Sequence, residues 1–462
     1  MNPQRVMLYI FGFILVVIGV YYASGCPGLR VCPFFKTEKD PPMKVYLSFV
    51  GTDAAADWKN VISKYNAYKK QEKNEYVDVI VSYERIDDLI NYEDEIQQRQ
   101  FDKKGPNIYM IFHTWIPRYK DRILPLPSAT MSFAEFKNTF ARVAVDDLTQ
   151  DGETIYSLPF YIDTPALYYT DYMFLNENLV EAPKNWREFE SYVVQLTDFK
   201  NDEKTGQLVL DENGNRIIDR AGAAFGGGSN VHRSQDIVML LMMQNNYDEK
   251  NLVSFNNPGS ATALKFYADF TDPASRFYTW NEDQMFSIDA FTQRKSAMMI
   301  DYSDQIKNIE SKTGGTLDFK IAPIPQLNEK QKVNYASYWT PVVADNAPCR
   351  AQLGLKINCY DLAWEFLNFA SQKSNAKLYL DSSERAAANL ELALEQSLIG
   401  DRRSVFASQV FTARTWHNPD NALADEKLLE MINAVVTGDK EKKLSIDRAM
   451  DIPKRYIAEI NR

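Results

Sequence analysis

The stretch "IYSLPFYIDTPALYYTDYMF", Ile155–Phe174, decides the fold. Its two ends have strand composition, with Tyr, Ile, Leu and Phe crowded together. Its middle, "PFYIDTP", is hostile to a central strand. Pro159 and Pro165 cannot donate to a ladder, and prolines so placed mark edges, bends or a passage from one sheet to another. Tyr161 and Asp163 lie two residues apart between them, so an extended backbone turns both to the same side.

Strands and helices alternate on either side of this stretch. "MKVYLSFV", "YVDVIVSY" and "NIYMIFHTW" read as strands. "DWKNVISKYNAYKKQ" places Trp58, Val61, Ile62, Tyr65 and Tyr68 at helical spacing. "PKNWREFESYVVQL" is a helix with Asn185 as N-cap, Glu188 closing a capping box, and Trp186, Phe189, Val193 and Leu196 on one face. "DLAWEFLNFASQ" is another. Such alternation predicts parallel-type sheets covered by helices. The polar segment after Thr197 contains "LVLDENGNRII", a hairpin turning at Asn213-Gly214. It does not fit a calcium loop: counted from Asp211, Gly214 is fourth rather than sixth, and the twelfth residue is Gly222 instead of glutamate.

Size and composition narrow the function. The 462 residues suffice for about two or three domains. A formal charge of -10 argues against a nucleic-acid partner. Near the N-terminus, Val6 to Gly25 is an uncharged apolar run, long enough for a transmembrane anchor. "YYASGC" also resembles a lipidation signal at Cys26, and small residues Ala23 and Gly25 would admit cleavage. Residues 27–42 form a Pro-rich spacer. Arg30, Lys36 and Lys39 follow the run and only Arg5 precedes it, which by the positive-inside rule alone would leave the body in the cytosol. Cys349 and Cys359 close a short loop; exported, they suit a disulfide, and in the cytosol they would be two small buried hydrophobes.

Motifs for covalent chemistry are missing. The sequence contains neither a G-x-S-x-G elbow nor a Walker loop, and "AGAAFGGGSN" lacks the G-K-[ST] that would reach a phosphate. The three histidines, His113, His232 and His417, have no metal-ligand spacing, and no cofactor is indicated. What recurs is an aromatic beside small polar groups where a strand ends or breaks: Trp115, Tyr161 with Asp163, Asp301 with Tyr302, Trp339 and Trp416. In open α/β sheets ligands bind beyond the carboxyl ends of strands. Flat rings with carboxylates and amides suit a polyhydroxylated ligand, with Asp163, Asp301 and Asn230 meeting hydroxyls. Any single ring could equally be core; the recurrence carries the reading.

The order of segments resembles a known family. "IYSLPFYIDTPALYYTDYMF", "APKNWREFESYVVQLT", "FTQRKSAMMIDYSDQI" with "IAPIPQ", "AWEFLNFASQ" and "FASQVFTARTWHNPDNALADEKLLEMINAVVTGDKEKKLSIDRA" follow one another as in the family 1 extracellular solute-binding proteins, the maltose-binding-protein-like receptors of ABC importers. The resemblance covers nearly all of Met43–Arg462. "GPNIYMI", where members often show Pro-Asp before the strand, and the Asn213 hairpin depart from it. It implies an α/β, two-lobed, periplasmic-binding-protein-like (type II) fold with a cleft between lobes, behind an N-terminal transmembrane or signal segment (1–26) and the spacer. Lobe I would hold 43–162 and 338–376, and lobe II 163–337 and 377–462. "PFYIDTP" would be the first crossing, "SYWTP" the second, and a segment near Ala376 the third. It further implies a monomeric, non-enzymatic body outside the cytoplasmic membrane, despite the flanking cations. Such a body captures a small solute, above all a mono- or oligosaccharide, and delivers it to ABC permease subunits. A glycan-processing enzyme, a polyamine, peptide or iron receptor, and a sensor are the alternatives.

Overall fold

The computed structural model describes residues 43–71, 77–88, 91–102, 104–248, 257–345, 350–351, 359–418, 420–439, 441–453 and 455. The apolar run from Val6 to Gly25, Cys26 and Cys349 lie outside them. Among the described residues no helix is long and apolar enough to cross a membrane.

The chain enters through β1 (Met43–Gly51), returns along helix α1 (Ala55–Gln71) and lays β2 (Val77–Arg85) parallel to β1 from Met43↔Val77 to Gly51↔Arg85. β3 (Ile108–Phe112) joins the other side of β1, parallel at Phe49↔Ile108, and β4 (Ile123–Leu124) forms the far edge. Trp58, Val61, Ile62 and Tyr65 of α1 are buried as their spacing requires, while Tyr68 stays exposed.

The deciding stretch then leaves this sheet. Tyr161 and Asp163 form isolated bridges rather than a ladder, and after Pro165 the chain becomes β5 (Ala166–Thr170) of a second sheet. Helix α2 (Trp186–Leu196) follows. Its Asn185 side chain accepts from Glu188 N at 3.0 Å, while Glu188 reaches back to Lys184 N at 2.8 Å, one residue beyond a strict capping box. Asp211 accepts from the backbone N–H groups of Asn213 and Asn215, closing the hairpin, where Gly214 alone of the turn pair takes positive φ. Helix α3 (Ser234–Gln244), β6 (Met298–Asp301) and β7 (Phe319–Ala322) complete the second lobe's centre. β6 and β7 flank β5, both antiparallel. The second lobe's central sheet is therefore wholly antiparallel, and the first sheet is only partly parallel.

From β8 (Asn334–Tyr335) the chain returns to the first sheet as β9 (Trp339–Ala344), antiparallel between β3 and β4. Ser337 N donates to Asp163 O at 3.0 Å, so the first and second passes between lobes lie side by side. Helices α4 (Cys359–Ser371) and α5 (Lys373–Ser383) both pack on α1. Cys359, buried at the start of α4, is disulfide-bonded.

This packing corrects the expected third crossing. Ala376 is 3% exposed inside α5, which stays with the first lobe. The third pass is instead the stretch after α5. Ile162 N donates to Ala386 O and Tyr161 bridges Ala387. Helix α6 (Leu390–Ser397) then packs on α7 (Arg402–Gln409), and α7 packs on β7. β10 (Ala413–Arg414) pairs with β8, and α8 (Asn421–Val436) lies against α3.

Candidate functional site

Where the three passes meet, strand ends deliver a linked set of charges. Asp53, just beyond β1, accepts from Tyr379 Oη (2.9 Å), Trp58 Nε1 (3.2 Å) and Arg385 Nη1 (2.9 Å). The Arg385 guanidinium sits 4.0 Å from the centre of the Tyr161 ring. Tyr161 Oη in turn accepts from Trp339 N at 3.1 Å. On the second lobe's side Ser303 Oγ donates to Asp163 at 2.7 Å. Burial, with Asp304 nearby, pushes the Asp163 carboxyl up to about 7. Beside it, His232 Nδ1 lies 2.8 Å from Asp301 Oδ2, and Tyr302 Oη donates to Asp236 at 2.8 Å.

The turn before α3 adjoins this cluster and opens a cavity of about 220 Å³. Arg233, Asp236, Phe286 and Asp425 are among its lining residues. Arg233 holds a left-handed backbone (φ 58), a strained conformation for a residue with a side chain. Its guanidinium stands 5.7 Å from the Tyr302 ring centre. Neither that guanidinium nor the Asp425 carboxylate makes a hydrogen bond or a close ion pair among the described residues. Burial, and the charge of Asp236, push Asp425 up to about 7. Phe286 is 38% exposed, a large ring left open at a pocket.

Between the lobes runs a third polar group, centred on Asp147. His113 Nδ1 (2.8 Å), Tyr338 Oη (2.7 Å) and Thr415 Oγ1 (2.7 Å) converge on its Oδ2, and His417 Nε2 lies 3.7 Å from Oδ1. His113 stacks on Tyr338, and Thr114 donates to Asn421 at the start of α8.

These arrangements sort the residues expected from sequence. Asp163, Tyr161 and Trp339 come together at the passes, and Asp301 with Tyr302 adjoins the cavity. Trp115 packs edge-on to Trp339 at 5.4 Å, and Trp416 is 2% exposed. In this conformation Trp115, Tyr161, Tyr302 and Trp416 are packed rings, not open platforms. Asn230 holds a loop in this conformation: its amide donates to Asn281 O and Gln284 O and accepts from Trp280. The sequence reading missed Asp53, Asp147, Arg233, Asp236, Phe286, Arg385 and Asp425. Asp53 follows strand β1 directly, so the strand-end rule applied elsewhere would have found it.

A family model for bacterial extracellular solute-binding proteins matches residues 51–377. No curated protein matches the chain. Solved structures of similar fold include an ABC transporter solute-binding protein from Thermotoga lettingae bound with α-D-tagatose. It is 17% identical with a TM-score of 0.64, over 90% of this chain and 99% of that one. The sugar-binding protein MalE from Xanthomonas citri is 16% identical with a TM-score of 0.67, over 90% and 98% of the two chains. The maltose-binding periplasmic protein MalE from Listeria monocytogenes, in complex with maltose, is 17% identical with a TM-score of 0.63, over 90% and 98%.

Proposed function

Because the chain belongs to the bacterial extracellular solute-binding protein family, we propose that it is the receptor of an ABC importer, closing its lobes around a carbohydrate and handing it unaltered to permease subunits. The observation that carries the sugar is the cavity before α3. An exposed ring, Phe286, borders it together with the Arg233 guanidinium and the Asp425 carboxylate, neither of which makes a hydrogen bond or close ion pair among the described residues. Rings pack on the apolar face of a pyranose, while Arg233, Asp236 and Asp425 have lone pairs and protons for its hydroxyls. At about 220 Å³ the cavity is smaller than the ~300–1,000 Å³ of a drug-sized ligand and suits one sugar ring. Further rings would extend toward Asp163 and Asp301 as the lobes part.

Among the similar structures, one is bound with tagatose and another with maltose, which supports the class of solute. A native mass spectrum of the purified protein tests it: a co-purifying mass that is no saccharide would overturn the reading. Titration calorimetry with that solute then tests the cavity. Phe286→Ala should weaken binding by about 2 kcal/mol, roughly thirtyfold, as for a ring that anchors an interface. Unchanged affinity would remove Phe286 from the site.

The same proposal puts the monomeric body outside the cytoplasmic membrane, held by the apolar run Val6 to Gly25 or by a lipid on Cys26. The full chain should then sediment with membranes and residues 43–462 should not. A soluble full chain would refute the anchor.

A further inference from the structure

Asp147 is placed where a receptor of this shape decides between open and closed. It sits in the first lobe, ahead of the first pass, and is 3% exposed. His113 and Tyr338, which approach it at 2.8 and 2.7 Å, move with that lobe, because His113 N also donates to Tyr338 O beside the β3–β9 pairing. Thr415 does not. It follows β10, which pairs with β8 on the far side of the second pass, and it leads into α8, which packs on α3 of the second lobe. One carboxylate oxygen thus accepts hydrogen bonds from both lobes at once. His417 Nε2, 3.7 Å from the other oxygen, and the Thr114–Asn421 hydrogen bond lie in the same seam.

We propose that Asp147 is a positioning residue for solute capture: through Thr415 it latches the second lobe onto the first, so that the receptor reaches its closed form before a solute bridges the lobes. The inference rests on the geometry of the seam and is independent of which solute is bound. Burial opposes the charge on Asp147, yet His113, His417 and Thr415 together hold its carboxyl below the ordinary aspartate range. It therefore remains an acceptor. Asp146, beside it in the chain, and Asp147 itself both bear electrostatically on Tyr338, and Asp147 with Arg233 on Tyr335, so this seam carries charge of both signs around the carboxylate. A receptor whose competent form is only a fraction of the population loses apparent affinity by that fraction. A latch that raises the fraction strengthens capture without touching the solute.

The three donors allow a test that separates latching from mere stabilisation. Thr415→Val removes the only one of the three that comes from the second lobe. Tyr338→Phe removes an equally short hydrogen bond to the same oxygen from within the first lobe. Nitroxides on Lys64→Cys in α1 and Ser311→Cys in the helix after β6 report the lobe separation by double electron–electron resonance. The full chain is used without added solute, with Cys26 and Cys32 changed to Ser. Thr415→Val should move most of the distance distribution to longer separation, and Asp147→Asn, where it folds, should do so as well. Tyr338→Phe should lower the melting temperature and leave the distribution in place. An unmoved distribution in Thr415→Val, or an equal shift in Tyr338→Phe, overturns the latch and leaves the carbohydrate reading standing.

Discussion

Asp163 shows how much one residue can reveal. Its place between two prolines marks it in the sequence as a side chain that a strand could not hide, and the structure sets it at the joint between lobes, bonded to Ser303 of the second. What sequence does not carry is its protonation. Burial and the proximity of Asp304 push it up to about 7, against roughly 3.9 for an unfolded aspartate. The folded chain therefore binds more protons than the unfolded chain between these values, and its stability falls as pH rises from about 4 to about 7. The effect is on the order of a few kcal/mol at most, because each unit corresponds to about 1.4 kcal/mol. Asp163→Asn stays neutral throughout and should flatten this decline. Melting temperatures of both proteins without solute, taken from pH 4 to pH 8, check it; parallel curves would mean that Asp163 does not titrate in this window. Arg233 is the opposite case. Its left-handed backbone and the cavity beside it arise from how the turn docks on Tyr302 and Asp425, residues remote in sequence, so nothing local announced it.

At the scale of elements, local chemistry was readable and pairing was not. Helix α2 is written in its own residues: an Asn cap, a Glu three residues on, and four large apolar side chains at helical spacing. The direction of strands is not so written. β5, β6 and β7 have ordinary buried compositions, and their antiparallel order depends on which chain segments the helices bring back. The third pass failed to show for a similar reason. "RAAA", Arg385–Ala388, has no strand pattern of its own and is extended only because Phe160, Ile162 and Tyr161 supply backbone partners. The glycine-rich turn, which its composition leaves open between flexible and close-packed, is close-packed. Gly226 has φ +98, and a Cβ there would stand 2.8 Å from Phe270 Cβ and 2.9 Å from Tyr267 O. Gly226→Ala should therefore destabilise by more than about 2 kcal/mol, combining overpacking with an unfavourable backbone. Urea unfolding measures this; a loss below half that value would show that Tyr267 and Phe270 yield easily.

For the whole molecule the question is what makes two lobes one folding unit and still lets them move. Each pass contributes only one or two backbone bridges at the joint, which suits a hinge in which a few residues absorb the change. The break in the first pass is visible in the sequence and the two lobes follow from the family resemblance, but neither reveals the joint's central tie. That tie is Arg385. It brings the third pass to Asp53 at the end of β1 and to the ring of Tyr161 in the first pass. Both charges are largely withdrawn from water, the Asp53 side chain being 1% exposed and that of Arg385 19%. A buried pair of this kind need not add stability over an apolar replacement, but removing one member strands the other. Arg385→Ala should leave Asp53 charged beside Tyr379 and Trp58 without its cation, at a cost of about 3–5 kcal/mol. Adding Asp53→Asn removes the stranded charge, so the double variant should recover a good part of that loss. Urea unfolding of the three variants closes the cycle. Losses that simply add would mean that Arg385 acts through its stacking on Tyr161 alone, and the joint would then be held by the ring rather than by the charge.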